Sequence, residues 1–335
     1  MGEIRREIVS GDWIIIAPER AKRPHGFLKK KKARIRAPKN DCPFENLETT
    51  NNWPPIAQAP KMGDWNAVVI PNKFPALPHR DVCATRLSQG PYEALTAVGS
   101  HELLVTRDHN KNLAELTLEE GVQVFELLQD RYRALAKDPC LVYTSSFFNW
   151  GPQSGASVYH PHYQILTLPI IPPHVRHSFE GSAKYFKAHK RCPHCAMLAY
   201  EKKERKRVID ENECAIAVAP YASREPFEVR IYPKHHHPAF EHTPHKDIKD
   251  MVAMLQKSMQ GVKKYLNDPD LNFFIHSAPI KDQNNYTHYH WHIEIIPNIA
   301  INAGFEFSTH IQINMIDPDV AARVLRGGKL AGITR

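Results

Sequence analysis

Two histidines stand two residues apart in the segment His160-Pro161-His162-Tyr163-Gln164. Residues two apart on a β-strand share a face, and a proline keeps the residue before it extended, so both imidazoles are expected to face one cleft. Gln164 shares that face and offers a neutral donor and acceptor. A neutral imidazole is a nucleophile near pH 7 and can leave again, and toward phosphorus it forms a phosphoramidate. The alternative is that both histidines bind a metal or are structural.

Small residues just upstream, Gly155-Ala156-Ser157, are suited to holding phosphate oxygens. The backbone amides of Gly155 and Ala156 and the hydroxyl of Ser157 could all donate to an anion. The formal net charge of +8 also favours an anionic partner, without identifying it.

Part of this charge comes from a basic block formed by Lys29 to Lys32, Arg34 and Arg36. A solvated basic loop is the favoured interpretation. A nucleic-acid contact is the alternative, but the block contains no interleaved aromatic residues and lies in no known nucleic-acid motif. We therefore do not expect nucleic acid as a partner.

Cys192-x-x-Cys195 predicts a metal site in the second half of the chain. Two thiolates at this spacing bind zinc, and His236 and His290 could complete a tetrahedral Cys2His2 set. The spacing leaves four nearby histidines open as alternative ligands: His235, His237, His288 and His292. A redox pair or two buried thiols is the other interpretation of the motif.

The first half offers a matching set of ligands in Cys42, Glu45, His109 and His160. Here a glutamate stands where the second half has its second cysteine. A carboxylate can bind zinc, so a Cys-Glu-His-His site is feasible, and a weak or empty site is the alternative.

The two ligand sets follow one order, which indicates an internal repeat. His109 and His160 are 51 residues apart, and His236 and His290 are 54 apart. Between them, apolar residues at 3.6-residue spacing predict helices over 117–136 and 246–266. Runs of β-branched residues bounded by proline and asparagine predict strands. We therefore expect a mixed α/β fold with two β-rich halves, each with one long helix, joined near 172–190.

The composition is that of a globular chain: of its 335 residues, 42% are hydrophobic, 24% are charged and 20 are histidines. These values exclude a disordered or collagen-like chain. No apolar run reaches 18 residues, so no membrane contact is expected, and no signal peptide is visible. Six scattered cysteines do not suit a secreted disulfide framework. We therefore expect a reducing, cytoplasmic location.

These motifs together resemble the galactose-1-phosphate uridylyltransferase family of the histidine-triad superfamily. The resemblance runs from about Arg5 to Arg326. Besides the segments above, it rests on five further runs of residues: 11–18 with 20–24, Pro71-Asn72-Lys73-Phe74-Pro75-Ala76-Leu77, Pro226-Phe227-Glu228, His290-Trp291-His292 and Ala303-Gly304-Phe305-Glu306.

The resemblance implies an α/β (α+β) fold of two histidine-triad-like halves, 1–175 and 190–335, each an antiparallel-rich sheet with a long helix. It also implies a homodimer, zinc and a ping-pong reaction on a nucleotide sugar and a sugar 1-phosphate. His162 would attack the α-phosphorus of UDP-glucose, and galactose 1-phosphate would then take the uridylyl group to give UDP-galactose.

The resemblance assigns roles to further residues of this chain. Gln164 would hydrogen-bond the uridylyl phosphate, Ser157 would assist at the phosphates, and His160 would serve the first metal site. Two groups would contact substrate: Arg20, Arg23 and Asn72 at the nucleotide or phosphates, and Phe305, Glu306 and Gln312 at the sugar phosphate across the dimer.

Three departures from the family pattern bear on these roles: Glu45 for a cysteine, a bulky Tyr163, and Ser308-Thr309-His310 for a glycine-rich turn. One branch of the family adenylylates its histidine and acts as an ADP-glucose phosphorylase, and it shares the C-x-x-C motif. That activity and a non-catalytic nucleotide- or metal-binding role are the alternatives to uridylyl transfer.

Overall fold

Ten strands from both halves of the chain form one sheet in the computed structural model, which describes residues 2–22, 36–50 and 52–329. All neighbouring strands in it are antiparallel. Across the sheet the strands are β10 (Val208–Glu211), β11 (Ala215–Val218), β12 (Val229–Pro233), β14 (His292–Pro297), β13 (Leu271–His276), β8 (Tyr143–Trp150), β9 (His162–Leu168), β7 (Ser100–Thr106), β4 (Ala67–Pro71) and β3 (Ala57–Ala59).

The sheet is symmetric about its centre, where β8 of the first half pairs with β13 of the second half. From β8 the order is β9, β7, β4 and β3, and from β13 it is β14, β12, β11 and β10. The mixed α/β fold with two antiparallel halves is therefore confirmed. The two halves share one continuous sheet, and their division at 175 and 190 stays a prediction.

Both predicted long helices are present, with each end within one residue of the prediction. They are α1 (Leu118–Leu135) and α4 (His245–Tyr265). Thr117 and Glu120 form a capping box that satisfies backbone amides at the start of α1. Both helices pack on one face of the sheet. Gln129 of α1 also donates to two carbonyl oxygens of the second half, so the halves are joined by polar contacts as well.

The join between the halves is helical, which the sequence analysis did not predict. It contains α2 (Pro173–His189), and α3 (Pro193–Glu204) follows. Phe179 is one of only two buried residues of α2, and its ring contacts that of Tyr289 in the second half at 4.7 Å. Two prolines and several lysines in this stretch are also typical of a linker, so composition alone did not distinguish the helix.

The remaining elements lie outside the ten-stranded sheet. A second sheet contains β1 (Glu3–Arg6), β2 (Trp13–Ile16) and β15 (Ile313–Asn314), and an exposed hairpin contains β5 (Arg86–Gln89) and β6 (Tyr92–Leu95). Two short α-helices are α5 (Gly304–Thr309) and α6 (Pro318–Leu325). The 3-10 helices are Pro18–Lys22, Lys39–Asp41, Leu113–Glu115, Pro152–Ser154, Phe240–His242 and Gln283–Tyr286.

Cys83 and Cys140 form a disulfide across a Cα–Cα distance of 4.9 Å. The sequence analysis, which expected reduced cysteines, did not predict this pair. Among the residues that the structure describes, no helix is both long and apolar enough to cross a membrane.

Replacement of Phe273 should test the packing at the centre of the sheet. Phe273 is 1% exposed, and its ring lies 5.2 Å from that of Phe148 on the neighbouring strand. Phe273→Ala should lower the free energy of unfolding by about 3–5 kcal/mol, because it leaves a cavity. Urea unfolding measures this change. The matched variant Phe74→Ala, at an 89% exposed position, should change it by less than about 0.5 kcal/mol. Equal effects of both variants would contradict the packing described here.

Candidate active site and metal-binding groups

His162 is the first residue of β9, where it pairs with Val105 of β7. Its side chain is 6% exposed, and Nδ1 lies 2.9 Å from the carbonyl oxygen of His160. Because a carbonyl oxygen only accepts hydrogen bonds, Nδ1 carries the proton and Nε2 keeps a lone pair. Burial lowers the pKa of His162 below its ordinary value of 6.5, although the hydrogen bond to His160 opposes the shift. The ring is therefore a neutral imidazole with its nucleophilic atom at Nε2.

Aromatic residues on the two faces of β9 have different roles. Phe44 lies on the face of His162, with 5.3 Å between the ring centroids, and it also contacts His160. Tyr163 lies on the opposite face and is 1% exposed, with its ring 4.9 Å from that of Phe148. The bulk of Tyr163, noted above as a departure from the family pattern, therefore fills the core and not the cleft.

His101 of β7 is a site residue that the sequence analysis missed. Its Nε2 lies 3.0 Å from Oε1 of Gln164 and 3.2 Å from Nδ2 of Asn72. Gln164 and Asn72, predicted separately, are thus brought together by one imidazole. The pairing of β7 with β9 places His101 diagonally opposite Gln164. No local sequence pattern contains that register, so the sequence alone could not identify His101.

The small-residue loop upstream of His162 is closed by its own backbone hydrogen bonds. The amide of Gly155 donates to the carbonyl of Pro152, and the amide of Ala156 donates to that of Gly151. Both amides are used within the loop, and their expected donation to phosphate oxygens stays a prediction. Gly155 has φ +83, a left-handed conformation that suits glycine. Ser157 is exposed at the end of the loop, where its hydroxyl remains a candidate phosphate ligand.

Asparagine side chains hold this loop against the second half of the chain. Asn272 of β13 donates to Oδ1 of Asn149 at 2.8 Å and to the carbonyl oxygen of Ser154 at 2.9 Å. Asn298 donates to Oδ1 of Asn272 at 2.7 Å and to the hydroxyl of Ser154 at 2.5 Å. The loop before the candidate nucleophile is therefore fixed by residues of the other half.

Two histidines of the first metal-binding group have their tautomers fixed by backbone carbonyls. Nε2 of His109 lies 2.9 Å from the oxygen of Ala37, and Nε2 of His160 lies 2.6 Å from that of Thr106. Each Nε2 therefore donates, and each Nδ1 keeps a lone pair. Both rings are 1% exposed, so these lone pairs need a partner inside the protein.

The Nδ1 lone pairs of these two histidines face other hydrogen-bond acceptors. The sulfur of Cys42 lies 3.5 Å from Nδ1 of His160, and Oε1 of Glu45 lies 3.0 Å from Nδ1 of His109 and 3.5 Å from that of His160. The ligand atoms of Cys42, His109 and His160 lie within 4.8 Å of one another. Acceptors that converge in this way fit a cation between them, and the nitrogen, sulfur and oxygen donors suit zinc.

The second group brings together all four predicted ligands, Cys192, Cys195, His236 and His290, within 4.8 Å. The sulfur of Cys195 lies 3.3 Å from Nδ1 of His236 and 3.5 Å from Nδ1 of His290. Nε2 of His236 donates to the carbonyl of Thr287 at 2.8 Å, so its Nδ1 also presents a lone pair. A hydrogen bond from Cys192, together with both histidines, lowers the pKa of the Cys195 thiol. The set fits a tetrahedral zinc ion.

The four alternative ligands left open by the spacing contact other groups. His235 and His237 lie 3.0 and 3.2 Å from Oδ2 of Asp247. His288 donates to the carbonyl of Phe179. Nδ1 of His292 faces the carbonyl oxygen of its neighbour His290 at 3.2 Å, as His162 faces that of His160.

The other predicted substrate residues belong to elements outside the ten-stranded sheet. Arg20 is half-buried in the 3-10 helix after β2, and Gln312 accepts a backbone hydrogen bond from Ile15 of that strand. Phe305 and Glu306 belong to α5, which is followed by His310 in a left-handed conformation. No hydrogen bond or ring contact joins the described residues of this set to His162. Arg23 and most of the basic block, 29–34, lie outside the described residues.

Comparison with known proteins assigns the chain to a family. A family model described as "Domain of unknown function (DUF4921)" matches residues 85–327. The ADP-glucose phosphorylase of Arabidopsis thaliana is 31% identical over 331 residues, 97% of this chain and 92% of the relative. The galactose-1-phosphate uridylyltransferase of Thermotoga maritima is 27% identical over 337 residues, 97% of this chain and 98% of the relative. The chain belongs to the DUF4921 family and to the galactose-1-phosphate uridylyltransferase family.

A solved structure also supports membership of the uridylyltransferase family. The crystal structure of an ADP-glucose phosphorylase from Arabidopsis thaliana with bound ADP-glucose has a TM-score of 0.83 and 28% sequence identity. The match covers 99% of this chain and 100% of that chain. The protein is thus an enzyme of the nucleotidyltransferase type, and the histidine-triad fold is confirmed.

Replacement of Asn272 should test how the second half holds the loop. Asn272→Ala removes the amide that donates to Asn149 and Ser154, so the loop amides should exchange faster. Hydrogen–deuterium exchange of residues 151–158 measures this, and the free energy of unfolding should fall by about 1–3 kcal/mol. Asn66→Ala, which removes a hydrogen bond to Gln123 in the first half, is the control and should leave exchange of this loop unchanged. Unchanged exchange in both variants would contradict the arrangement.

Proposed function

We propose that the protein transfers a nucleotidyl group from a nucleoside diphosphate hexose through a covalent intermediate on His162. The observation that carries this proposal is the hydrogen bond from Nδ1 of His162 to the carbonyl of His160. It fixes the tautomer in which Nε2 is the nucleophile, and the lowered pKa keeps that nitrogen unprotonated.

The first step forms a bond between Nε2 of His162 and the α-phosphorus of the donor. The bond from that phosphorus to the bridging oxygen breaks, and the hexose 1-phosphate leaves with the electron pair. The ring then carries positive charge, because Nδ1 keeps its proton. The carbonyl oxygen of His160 accepts from Nδ1–H and stabilises this charge.

The second step reverses the bonding with a different oxygen nucleophile. An oxygen of the acceptor phosphate attacks the phosphorus, and the bond to Nε2 breaks with its electron pair returning to the ring. Two displacements at one phosphorus need the same geometry twice, so a fixed nucleophile and fixed donors are an advantage. We assign Gln164 to the phosphoryl oxygens, Asn72 and Arg20 to the nucleotide or phosphates, and Ser157 to the phosphates. Arg23 is assigned with Arg20 on the family pattern.

Two nucleotide sugars are candidate donors, and each is favoured by similarity to a different relative. Uridylyl transfer between UDP-glucose and galactose 1-phosphate follows from the family motifs and the Thermotoga maritima relative. Adenylyl transfer from ADP-glucose is favoured by the higher identity to the Arabidopsis thaliana enzyme and by the likeness to its structure. Both use the same step at His162, so the chemistry is common and only the base and acceptor differ.

We propose that zinc bound by these two groups has a structural role. The four protein ligands proposed for each group would saturate a tetrahedral ion, which then stabilises the surrounding loops and leaves no position for substrate. In the first group it would fix His160, whose carbonyl in turn orients His162.

We also propose a homodimer, as in the family. Phe305, Glu306 and Gln312 make no described contact with His162 within the chain, which supports their action at the site of a second copy. Apolar side chains beside them are exposed, with Phe305 at 43%, Phe307 at 69% and Ile301 at 84%.

A donor panel tests the proposed transfer. Incubation with UDP-glucose or ADP-glucose should add one uridylyl or adenylyl group, which intact-mass spectrometry detects and peptide mapping places on His162. The adduct should be labile to acid and stable to base, as a phosphoramidate is. His292, with the same hydrogen bond to a backbone carbonyl, is the internal control and should remain unmodified. The absence of an adduct with both donors would refute the proposal and favour a non-catalytic nucleotide-binding role.

Metal analysis tests the two groups separately. After dialysis against a moderate chelator, the wild-type chain should keep zinc in the second group, Cys195→Ser should lose it, and Glu45→Cys should keep one more equivalent. The reason is that each added thiolate tightens a zinc site. Plasma mass spectrometry measures zinc per chain. His245→Ala, which breaks an exposed histidine–carboxylate pair with Glu126, is the control. Identical zinc content in all variants would contradict both assignments.

A further inference from the structure

We propose that His101 is a positioning residue that orients the amide of Gln164 so that its NH2 group faces the transferring phosphoryl group. This inference rests on the proposed transfer at His162 and adds a residue to it. His101 would not touch the reacting atoms and would act through Gln164.

The strand register places His101 on the face of the candidate nucleophile. In the pairing of β7 with β9, Leu103 lies opposite Gln164 and Val105 lies opposite His162. Alternate residues of a strand share a face, so residues 101, 103 and 105 of β7 lie on the face of 162 and 164. His101 is therefore a diagonal neighbour of Gln164 on that face, and it is half-buried. Long side chains of diagonal neighbours can reach each other across two strands.

The tautomer of His101 is set by a backbone amide. The N–H of Ala76 donates to Nδ1 at 3.0 Å. A nitrogen that accepts carries no proton in a neutral imidazole, so the proton is on Nε2. Nε2–H then needs an acceptor, and the atom 3.0 Å away is Oε1 of Gln164. The hydrogen bond thus occupies the oxygen end of the amide and leaves both N–H donors of Gln164 for another partner.

Asn72 is held next to this imidazole by backbone hydrogen bonds. Its Oδ1 accepts from the amide of Phe74, and its Nδ2 lies 3.2 Å from Nε2 of His101, a contact between two donors and not a hydrogen bond. The backbone amide of Asn72 also donates to the carbonyl of His101 at 3.0 Å. The segment proposed to contact the nucleotide and the residue proposed to contact the phosphate are therefore held by the same residue.

The orientation of the Gln164 amide decides whether it attracts or repels a phosphoryl group. Its NH2 end donates to phosphoryl oxygens, on which negative charge is concentrated during transfer, and its oxygen end would repel them. The two ends of a free amide exchange by rotation about one bond. A fixed donor from His101 removes that freedom before the substrate arrives, which is the condition for stabilising the transition state without reorganisation.

Variants at residue 101 test this role through the rate of adduct formation on His162. His101→Leu keeps the volume and removes both hydrogen bonds, so the single-turnover rate should fall by about 10- to 100-fold while KM changes by less than about 3-fold. His101→Gln can again donate from Nε2 and should recover most of the rate. His242→Leu is the matched control, because it breaks another histidine–glutamine hydrogen bond, 2.9 Å to Gln283, on the surface. It should retain the wild-type rate.

A double variant separates action through Gln164 from a general structural role. In the Gln164→Leu background, His101→Leu should cause no further loss of rate, because the amide that it orients is absent. Additive losses would overturn the proposal, as would an unchanged rate in His101→Leu alone. A wild-type protein that forms no adduct would instead overturn the proposed function, and this inference with it.

A measurement without turnover provides an independent test. In long-range 1H–15N spectra, His101 should show a protonated Nε2 and an unprotonated Nδ1, and its Nε2 proton should exchange slowly. Gln164→Leu should make that proton exchange at least about 10-fold faster, because it removes the acceptor. A proton on Nδ1 of His101 in the wild-type protein would overturn the proposal whatever the activity.

Discussion

Backbone carbonyl groups determine what each histidine of the site can do. The carbonyl of Thr106 accepts from Nε2 of His160, and the carbonyl of His160 accepts from Nδ1 of His162. Two histidines separated by one proline therefore hold opposite tautomers. One presents Nδ1 to the metal-binding group, and the other presents Nε2 to the cleft. Thr106 is the last residue of β7, paired with Ala67 of β4, and His160 lies two residues before β9, so the main chain at this end of the sheet sets the protonation pattern.

The second half keeps this geometry but has a different residue beside its histidine. His292 contacts the carbonyl of His290 as His162 contacts that of His160, yet the position of Gln164 is taken by Glu294. Although burial opposes it, Arg224 and Arg230 hold the pKa of the Glu294 carboxyl well below its ordinary range. Both ion pairs line the same cavity as His292. The duplicated half thus presents a paired carboxylate beside its histidine where the first half presents a neutral amide.

The parts of this structure that a sequence could predict are those with local periodicity or paired spacing. The helix over 117–136 has an apolar face, and Cys192 and Cys195 are separated by a fixed interval, so both were predicted. His101 could not be, because its role depends on which residue of another strand lies opposite. The partners of the Gly155 and Ala156 amides within the loop could not be predicted, because glycine content predicts a tight turn but not where its N–H groups point. Helix α2 was not predicted because Pro172, Pro173 and the lysines that follow are also typical of a linker, although proline suits the first turn of a helix.

The pairing of β8 with β13 at the centre of the sheet makes the two halves interdependent for solubility as well as for stability. Both strands are internal in the full chain, with neighbours on each side. A fragment that ended after the first half would expose β8 as an edge strand with unpaired backbone groups, next to the apolar side chains of Phe148 and Trp150. Such an edge is a template for pairing with other chains. The half that carries the nucleophile therefore cannot be shortened to a minimal catalyst without inviting self-association.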